Sequence, residues 1–131
     1  MSFSSDVEKF AKKAGKTVPD TLRAIALELM SSGIKDTPVD TGTARGNWQT
    51  SIGSQAPGIL PRKGAAAAIS ELKSALPNFG IDNTIYLTNN LPYIYGLEFD
   101  SRSGQAPGGM IRKNVARVQS IVAKAARDNK V

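Results

Sequence analysis

The stretch 37–48 constrains the fold more than any other part of this chain, because it separates a helical pattern from a strand-like pattern. Pro38 has no backbone N–H and disfavours helical angles at the residue before it, so the preceding helix must end there. Asp40 and Thr41 can hydrogen-bond their own nearby backbone, and Gly42 allows a positive φ angle. The sequence therefore predicts a tight structural turn formed by Pro38, Asp40, Thr41 and Gly42.

Helical patterns lie on both sides of this turn. A capping-box sequence precedes an apolar stripe over 18–32, and Gly33 is expected to end that helix. An alanine-rich segment at 65–76 has strong helix propensity and stops at a proline. A sustained apolar seam predicts a last helix from Ile111 to Ala125. Residues 1–16 form either a short first helix or a mobile arm.

Two strands are expected beyond the turn. Apolar and polar residues alternate over 48–52, and 85–88 is rich in β-favouring residues. The segment 93–99 also alternates like a strand, and 53–80 reads as a loop plus a short helix inserted between the strands. The predicted fold is a single α+β domain over 1–131, with a small antiparallel sheet packed against the long early helix and the C-terminal helix.

Composition excludes several kinds of site. The 131 residues contain no cysteine and no histidine, so thiolate chemistry, disulfides and histidine-based metal or acid–base sites are absent. No apolar run reaches the length of a membrane span, no signal peptide is recognised, and no phosphate-binding glycine loop occurs. We therefore predict a protein that is not an enzyme, with no cofactor, no catalytic or metal-binding residue and no membrane partner.

The net charge of +6 comes entirely from the end of the chain. Residues 101–131 carry seven basic side chains and one acidic side chain, a balance of +6, whereas residues 1–100 carry ten of each sign. A basic block can attract nucleic acid, or it can be the solvated side of a helix. The last helix predicts a basic face opposite its apolar seam, made of Arg112, Lys113, Arg117, Lys124 and Arg127.

Several motifs together resemble a known family. Pro-Val-Asp-Thr-Gly at 38–42, preceded by an amphipathic helix, is similar to a signature of the small tail-completion and neck proteins of long-tailed bacteriophages. In that family an aromatic segment ending in Glu-Phe follows, then a proline-containing loop and a final helix. This chain has these in order at 93–99, 105–107 and 111–127, although Gly108-Gly109-Met110 replaces the family's apolar residue and second proline.

The resemblance implies a structural virion protein that forms a ring at the phage head–tail junction, as a tail-completion or tail-terminator subunit. The implied assembly is a homo-oligomer of six, which contacts a neck or connector protein and the tail tube protein. DNA would pass through its lumen without sequence-specific binding, and the protein would occur in the virion and, during assembly, in the host cytoplasm. The resemblance also allows a helical turn at 93–99.

Interface residues are expected on the aromatic segment, on the following loop and just after the predicted turn. The turn is expected to hold the Arg45 and Trp48 side chains in a fixed direction. The candidate interface residues are Arg45, Trp48, Tyr93, Tyr95, Glu98, Phe99, Gln105 and Pro107. The alternative hypothesis is a small basic protein that binds nucleic acid through its C-terminal helix.

Overall fold

Helices of different lengths accompany a two-stranded sheet in the computed structural model, which describes residues 3–38, 42–99 and 109–127. The helices are α1 Phe3–Ala14, α2 Val18–Asp36, α3 Thr43–Gly46, α4 Ala65–Ala75, α5 Ile94–Phe99 and α6 Ile111–Arg127, with a 3-10 turn at Leu76–Asn78. The strands are β1 Gln49–Ile52 and β2 Ile85–Thr88. This architecture confirms the predicted α+β class. Within the described ranges, every helix is too short or too polar to cross a lipid bilayer.

Helix α2 begins as the sequence predicts but ends later. The Thr17 hydroxyl accepts a hydrogen bond from the Asp20 backbone N–H at 3.2 Å. The prediction that Gly33 ends the helix is wrong, because α2 continues to Asp36. Gly33 is instead a contact point: a Cβ built there would lie 2.6 Å from the end of the Ile111 side chain. The missing side chain therefore lets α6 approach α2 closely.

The structure confirms part of the predicted turn. Thr37 is extended, as expected before Pro38, and Gly42 has a φ of 86°. The Gly42 carbonyl accepts hydrogen bonds from the Gly46 N–H at 3.0 Å and the Gly64 N–H at 2.8 Å. The short helix α3, which the sequence did not predict, begins directly after Gly42. The other two predicted turn residues, Asp40 and Thr41, lie outside the described residues.

The sheet pairs β1 and β2 in antiparallel register, with Gln49 opposite Thr88 and Ile52 opposite Ile85. Segment 93–99 does not join it, so its interpretation as a strand is wrong. Most of that segment is helix α5, because its Ile94 and Leu97, three residues apart, both pack into the core. The helical turn allowed by the family resemblance is what the structure contains.

Three apolar clusters hold the helices together. One joins Ile34, Trp48, Ala68 and Met110, and a second places Ala26 against Leu72 and Leu76. The third packs Val7 of α1 against Val118 and Val122 of α6. The N-terminal helix therefore lies on the C-terminal helix, on the side of α6 that carries its predicted apolar seam.

The loop 53–64 is fixed to the sheet by polar side chains. The Arg62 guanidinium donates to the Trp48 carbonyl at 2.7 Å, to the Gly46 carbonyl and to the Glu71 carboxylate at 3.0 Å. The Asn47 side chain donates to and accepts from the backbone of Leu60. The Thr50 N–H, on the outer edge of β1, donates to Glu71 at 2.8 Å. This segment is thus an integral part of the domain.

Candidate assembly surface

The predicted interface residues fall into two groups in the structure. Arg45, Trp48 and Glu98 are largely enclosed, whereas Tyr93, Tyr95 and Phe99 are exposed. Gln105 and Pro107 lie outside the described residues. The fold therefore keeps three of the six described candidates available to a partner.

Trp48 is a core residue of the chain, and its role as an interface residue stays a prediction. Its side chain is 7% exposed, and the indole N–H donates to the Thr37 hydroxyl at 2.8 Å. Arg45 is partly buried and donates from Nε to the Thr37 carbonyl at 2.7 Å. Both side chains hold the C-terminal end of α2 in place, because a buried indole N–H needs a hydrogen-bond acceptor and a helix end has unpaired carbonyls.

Glu98 is also interior to the chain, where it has a structural role, and its role as an interface contact stays a prediction. The residue is 8% exposed, and its carboxylate accepts hydrogen bonds from the backbone N–H groups of Met110 and Ile111 at 2.8 Å and of Arg112 at 3.0 Å. The Arg112 side chain adds an ion pair at 2.9 Å and a further bond to the Glu98 carbonyl. Glu98 therefore caps the N-terminus of α6 and joins it to α5.

The electrostatics of this cap are consistent with a charged carboxylate. Burial raises the pKa of Glu98, because it disfavours the ionised form. The backbone N–H groups and the Arg112 guanidinium favour the ionised form more strongly, so the pKa lies below its ordinary value. Glu98 is thus an anion at neutral pH and holds three N–H groups at the start of a helix.

Tyr93, just before α5, and Tyr95 and Phe99 on α5 are exposed, and we call these three residues the aromatic patch. They are 50%, 65% and 47% exposed. The rings of Tyr95 and Phe99 have centroids 4.5 Å apart, and the Arg112 guanidinium lies 4.6 Å from the centre of the Phe99 ring. The Arg112 guanidinium beside these rings is in turn paired with the Glu98 carboxylate. Apart from the Arg112 guanidinium over Phe99, these three aromatic side chains leave about half or more of their surface exposed to solvent.

The described part of the predicted basic face is paired with acidic side chains of the same chain. Arg112 contacts Glu98, Lys113 lies 3.5 Å from Asp36, and Arg117 lies 2.7 Å from Glu28. The side chains of Lys124 and Arg127 lie outside the described part of the structure. These intramolecular pairs reduce the positive charge that the three described residues offer to a phosphate backbone.

Asn114 is a structural residue that sequence reasoning missed. It is 2% exposed, and its amide donates to the Asp36 carboxylate at 2.8 Å and to the Met110 carbonyl at 2.6 Å. The Asn114 hydrogen bond, and then Lys113, lower the pKa of Asp36 despite its partial burial. Helical spacing could have indicated this role, because Asn114 precedes Val118 by one turn and therefore lies on the apolar side of α6.

Within 3–38, 42–99 and 109–127, no three acidic side chains are grouped closely enough to hold a metal ion. No family model, curated protein or solved structure matches this chain. The features that bear on function are therefore the sequence motifs and the surfaces that the fold exposes.

Proposed function

We propose that this protein is a structural subunit of a ring at the head–tail junction of a long-tailed bacteriophage, where it completes or terminates the tail. The observation that carries the proposal is the aromatic patch on α5. Contiguous exposed aromatic residues mark protein–protein contact sites, and aromatic side chains are enriched at the centres of such sites. The ring form of the assembly is inferred from the sequence resemblance to tail-completion and neck proteins.

The proposed assembly is a homo-oligomer of six around a lumen through which DNA passes. The neck or connector protein lies on one side of the ring and the tail tube protein on the other. The protein belongs to the virion and is present in the host cytoplasm during assembly. Support comes from the order of three features along the chain: the turn at 38–42, the aromatic segment and the last helix.

The ion pairs of α6 weigh against a nucleic-acid-binding function for its described basic residues. Arg112, Lys113 and Arg117 each have an acidic neighbour within 4 Å, which belongs to α2 or α5. A helix that binds DNA through phosphate contacts needs several cations directed at the duplex. The three described cations of α6 are instead directed at acidic side chains of their own chain.

Light scattering with and without short duplex DNA tests this proposal. We expect a closed oligomer near six times 13.9 kDa, with no change in mass when DNA is added at physiological salt. A monomer or dimer that binds DNA with an affinity falling steeply as salt rises would contradict the ring and favour the nucleic-acid-binding alternative.

A charge-reversal variant tests directly whether the basic residues of α6 bind DNA. Lys113→Glu breaks a 3.5 Å pair with Asp36 on the surface, so the variant should retain its fold and its oligomeric mass. A DNA-binding helix would lose affinity on this reversal, whereas the ring subunit should behave as the unmodified protein does. A matched reversal at the exposed Lys73 of α4 controls for the change in net charge.

A further inference from the structure

A second exposed apolar surface lies away from the aromatic patch, in a groove where α1, α2 and α6 meet. Its walls are formed mainly by Phe10, Ile25, Val118 and Ile121, and its volume is about 150 Å³. Ile121 is 49% exposed, which is unusual for an isoleucine in the middle of a helix. The groove is therefore an apolar site that the isolated chain leaves open.

The rim of the groove is polar. Lys16 and Glu28 lie at its edge, and the side chain of Glu28 is 55% exposed. The hydrogen bonds that Glu28 accepts from Arg117 and Ser32 both use the Oε1 atom. An apolar cleft with a cation and an anion at its edge suits a side chain with an apolar ring and a polar tip.

We propose that the groove receives Tyr95 of a second copy of this chain, so that the aromatic patch of one subunit docks on the α1–α2–α6 surface of the next. This inference rests on the proposed ring function and names the contact that would close the ring. A cavity of about 150 Å³ accommodates a benzene ring, which is the size of the Tyr95 side chain beyond Cβ. The Tyr95 hydroxyl would then meet the Lys16 and Glu28 side chains at the rim.

Charge and rigidity favour this occupant. The Arg112 guanidinium beside the patch is 49% exposed although it pairs with Glu98, and the Glu28 carboxylate in the groove is 55% exposed, with an Oε2 atom that neither Arg117 nor Ser32 uses. A half-exposed cation on one surface therefore meets a half-exposed anion on the other. Tyr95 is the most exposed of the three patch residues and is stacked on Phe99, so it loses little conformational freedom on docking. Residues Asn83–Leu97 contain no charged side chain, as expected for the centre of a protein contact.

The two surfaces belong to different parts of one subunit. Arg112, beside the patch, and Ile121, in the groove, are nine residues apart on α6, which corresponds to about 14 Å along a helix axis. A contact between two different surfaces is heterologous, and repeated heterologous contacts close a ring when the rotation allows it.

The buried area explains why closure matters. An aromatic side chain buries about 150–250 Å² when fully enclosed, so covering the exposed halves of three such residues removes roughly 300 Å² from solvent. A standard stable interface buries about 800 Å² on each partner. A single contact anchored by this patch is therefore weak, whereas a closed ring gives each subunit two contacts and raises their effective concentration.

Two single substitutions test the contact from its two sides. Tyr95→Ser removes the inserted ring, and Ile121→Asp places a charge in the groove. Each should convert the closed oligomer to a monomer of 13.9 kDa, with thermal unfolding close to that of the unmodified protein because both side chains are exposed. The matched controls Ile81→Ser and Ala116→Asp change exposed residues outside both surfaces and should leave the oligomer intact.

Mixing the two variants gives the decisive result. The Ile121→Asp chain keeps an intact Tyr95, and the Tyr95→Ser chain keeps an intact groove, so an equimolar mixture has one productive contact. At high protein concentration we expect pairs with twice the monomer mass and no larger species. Tyr95→Phe should retain the closed oligomer because it keeps the ring.

The possible failures can be told apart. A closed oligomer that both variants leave unchanged would overturn the docking of Tyr95 in the groove and leave the ring function standing. Monomeric variants that do not pair when mixed would also overturn this contact. An unmodified protein that stays monomeric at every concentration would remove the ring function itself and the contact with it.

Discussion

Replacing Glu98 with alanine is expected to lower the free energy of unfolding by about 3 kcal/mol or more. The carboxylate accepts three backbone hydrogen bonds at the start of α6 and pairs with Arg112. Its removal leaves the N–H of the fully buried Met110 without its acceptor. In a domain of this size the loss corresponds to a fall in melting temperature of roughly 10 °C, which calorimetry or circular dichroism can measure.

Two further variants show that the effect belongs to the cap. Glu98→Gln keeps an oxygen for the Met110 and Ile111 N–H groups but turns an amide donor toward Arg112, so its loss should be about half as large. Glu8→Ala removes an exposed carboxylate from α1 and should change stability by about 0.5 kcal/mol or less. Equal stability of Glu98→Ala and the unmodified protein would show that the cap contributes nothing.

The same carboxylate predicts how stability depends on pH. The pKa of Glu98 is lower in the folded protein than its ordinary value of 4.5, so the unfolded chain takes up the proton first as the pH falls. The stabilisation is fully present above the unfolded pKa and is lost as the pH falls through the folded pKa. Asp36, whose pKa is also lowered, titrates in the same region.

Denaturant unfolding between pH 7 and pH 3 checks this dependence. The free energy of unfolding should be nearly constant from pH 7 to about pH 5.5 and fall below that, as the unfolded carboxylate begins to take up protons. The Glu98→Gln variant should show a smaller fall, and the difference between the two curves isolates Glu98 from Asp36. Parallel curves for the two proteins would contradict an ionised Glu98 in the cap.

Gly46→Ala is expected to destabilise the domain by about 3 kcal/mol, the upper end of the usual range for overpacking. A Cβ at this position would lie 2.7 Å from the Arg62 carbonyl carbon and 2.8 Å from the Lys63 Cα, and closer still to the Arg62 carbonyl oxygen. These are backbone atoms, and Arg62 is itself held by Trp48 and Glu71. They cannot move away without breaking the attachment of the loop 53–64.

Gly80→Ala is the matched control for this effect. A Cβ at Gly80 meets no heavy atom within 4 Å, and its φ lies outside the positive range. The substitution should be neutral or stabilise by a few tenths of a kcal/mol, since alanine restricts the unfolded chain. Because Gly46 lies in α3, alanine would be favoured there by helix propensity alone; a stable Gly46→Ala variant would therefore contradict the close approach of the loop.

Local signals in the sequence predict the starts and stops of elements well. The capping residue Thr17 predicts the start of α2, and Pro38 limits how far the helix can run, but the predicted stop at Gly33 lies three residues before the observed end at Asp36. Gly33 was misread because its role is tertiary: it accommodates Ile111, which is far away along the chain. Segment 93–99 fits both a period of two and a helical period, and packing of Ile94 and Leu97 decided between them.

The candidate site was predicted less completely, for a related physical reason. The exposure of Tyr93, Tyr95 and Phe99 agrees with their selection as interface residues, which rested on the aromatic character of their segment. Glu98, in the same segment, caps α6, which begins more than ten residues later. No local sequence pattern predicts a contact between residues so far apart.

The basic face illustrates the same limit. Helical spacing places Arg112, Lys113 and Arg117 away from the apolar seam of α6, but their acidic partners come from α2 and α5. Whether a cation on a helix is available to a ligand depends on neighbours that only the folded chain brings together. The helical spacing of the residues in α6 therefore predicts where its charged side chains lie, but not whether those charges are accessible to a ligand.

Electron microscopy of the purified protein tests the central claim most directly. Class averages should show a closed ring with six-fold rotational symmetry and a central opening, and Tyr95→Ser should abolish these rings while Ile81→Ser retains them. Particles without a ring at every protein concentration, or two-fold pairs without a lumen, would contradict the proposal that this protein is a ring subunit of the phage neck.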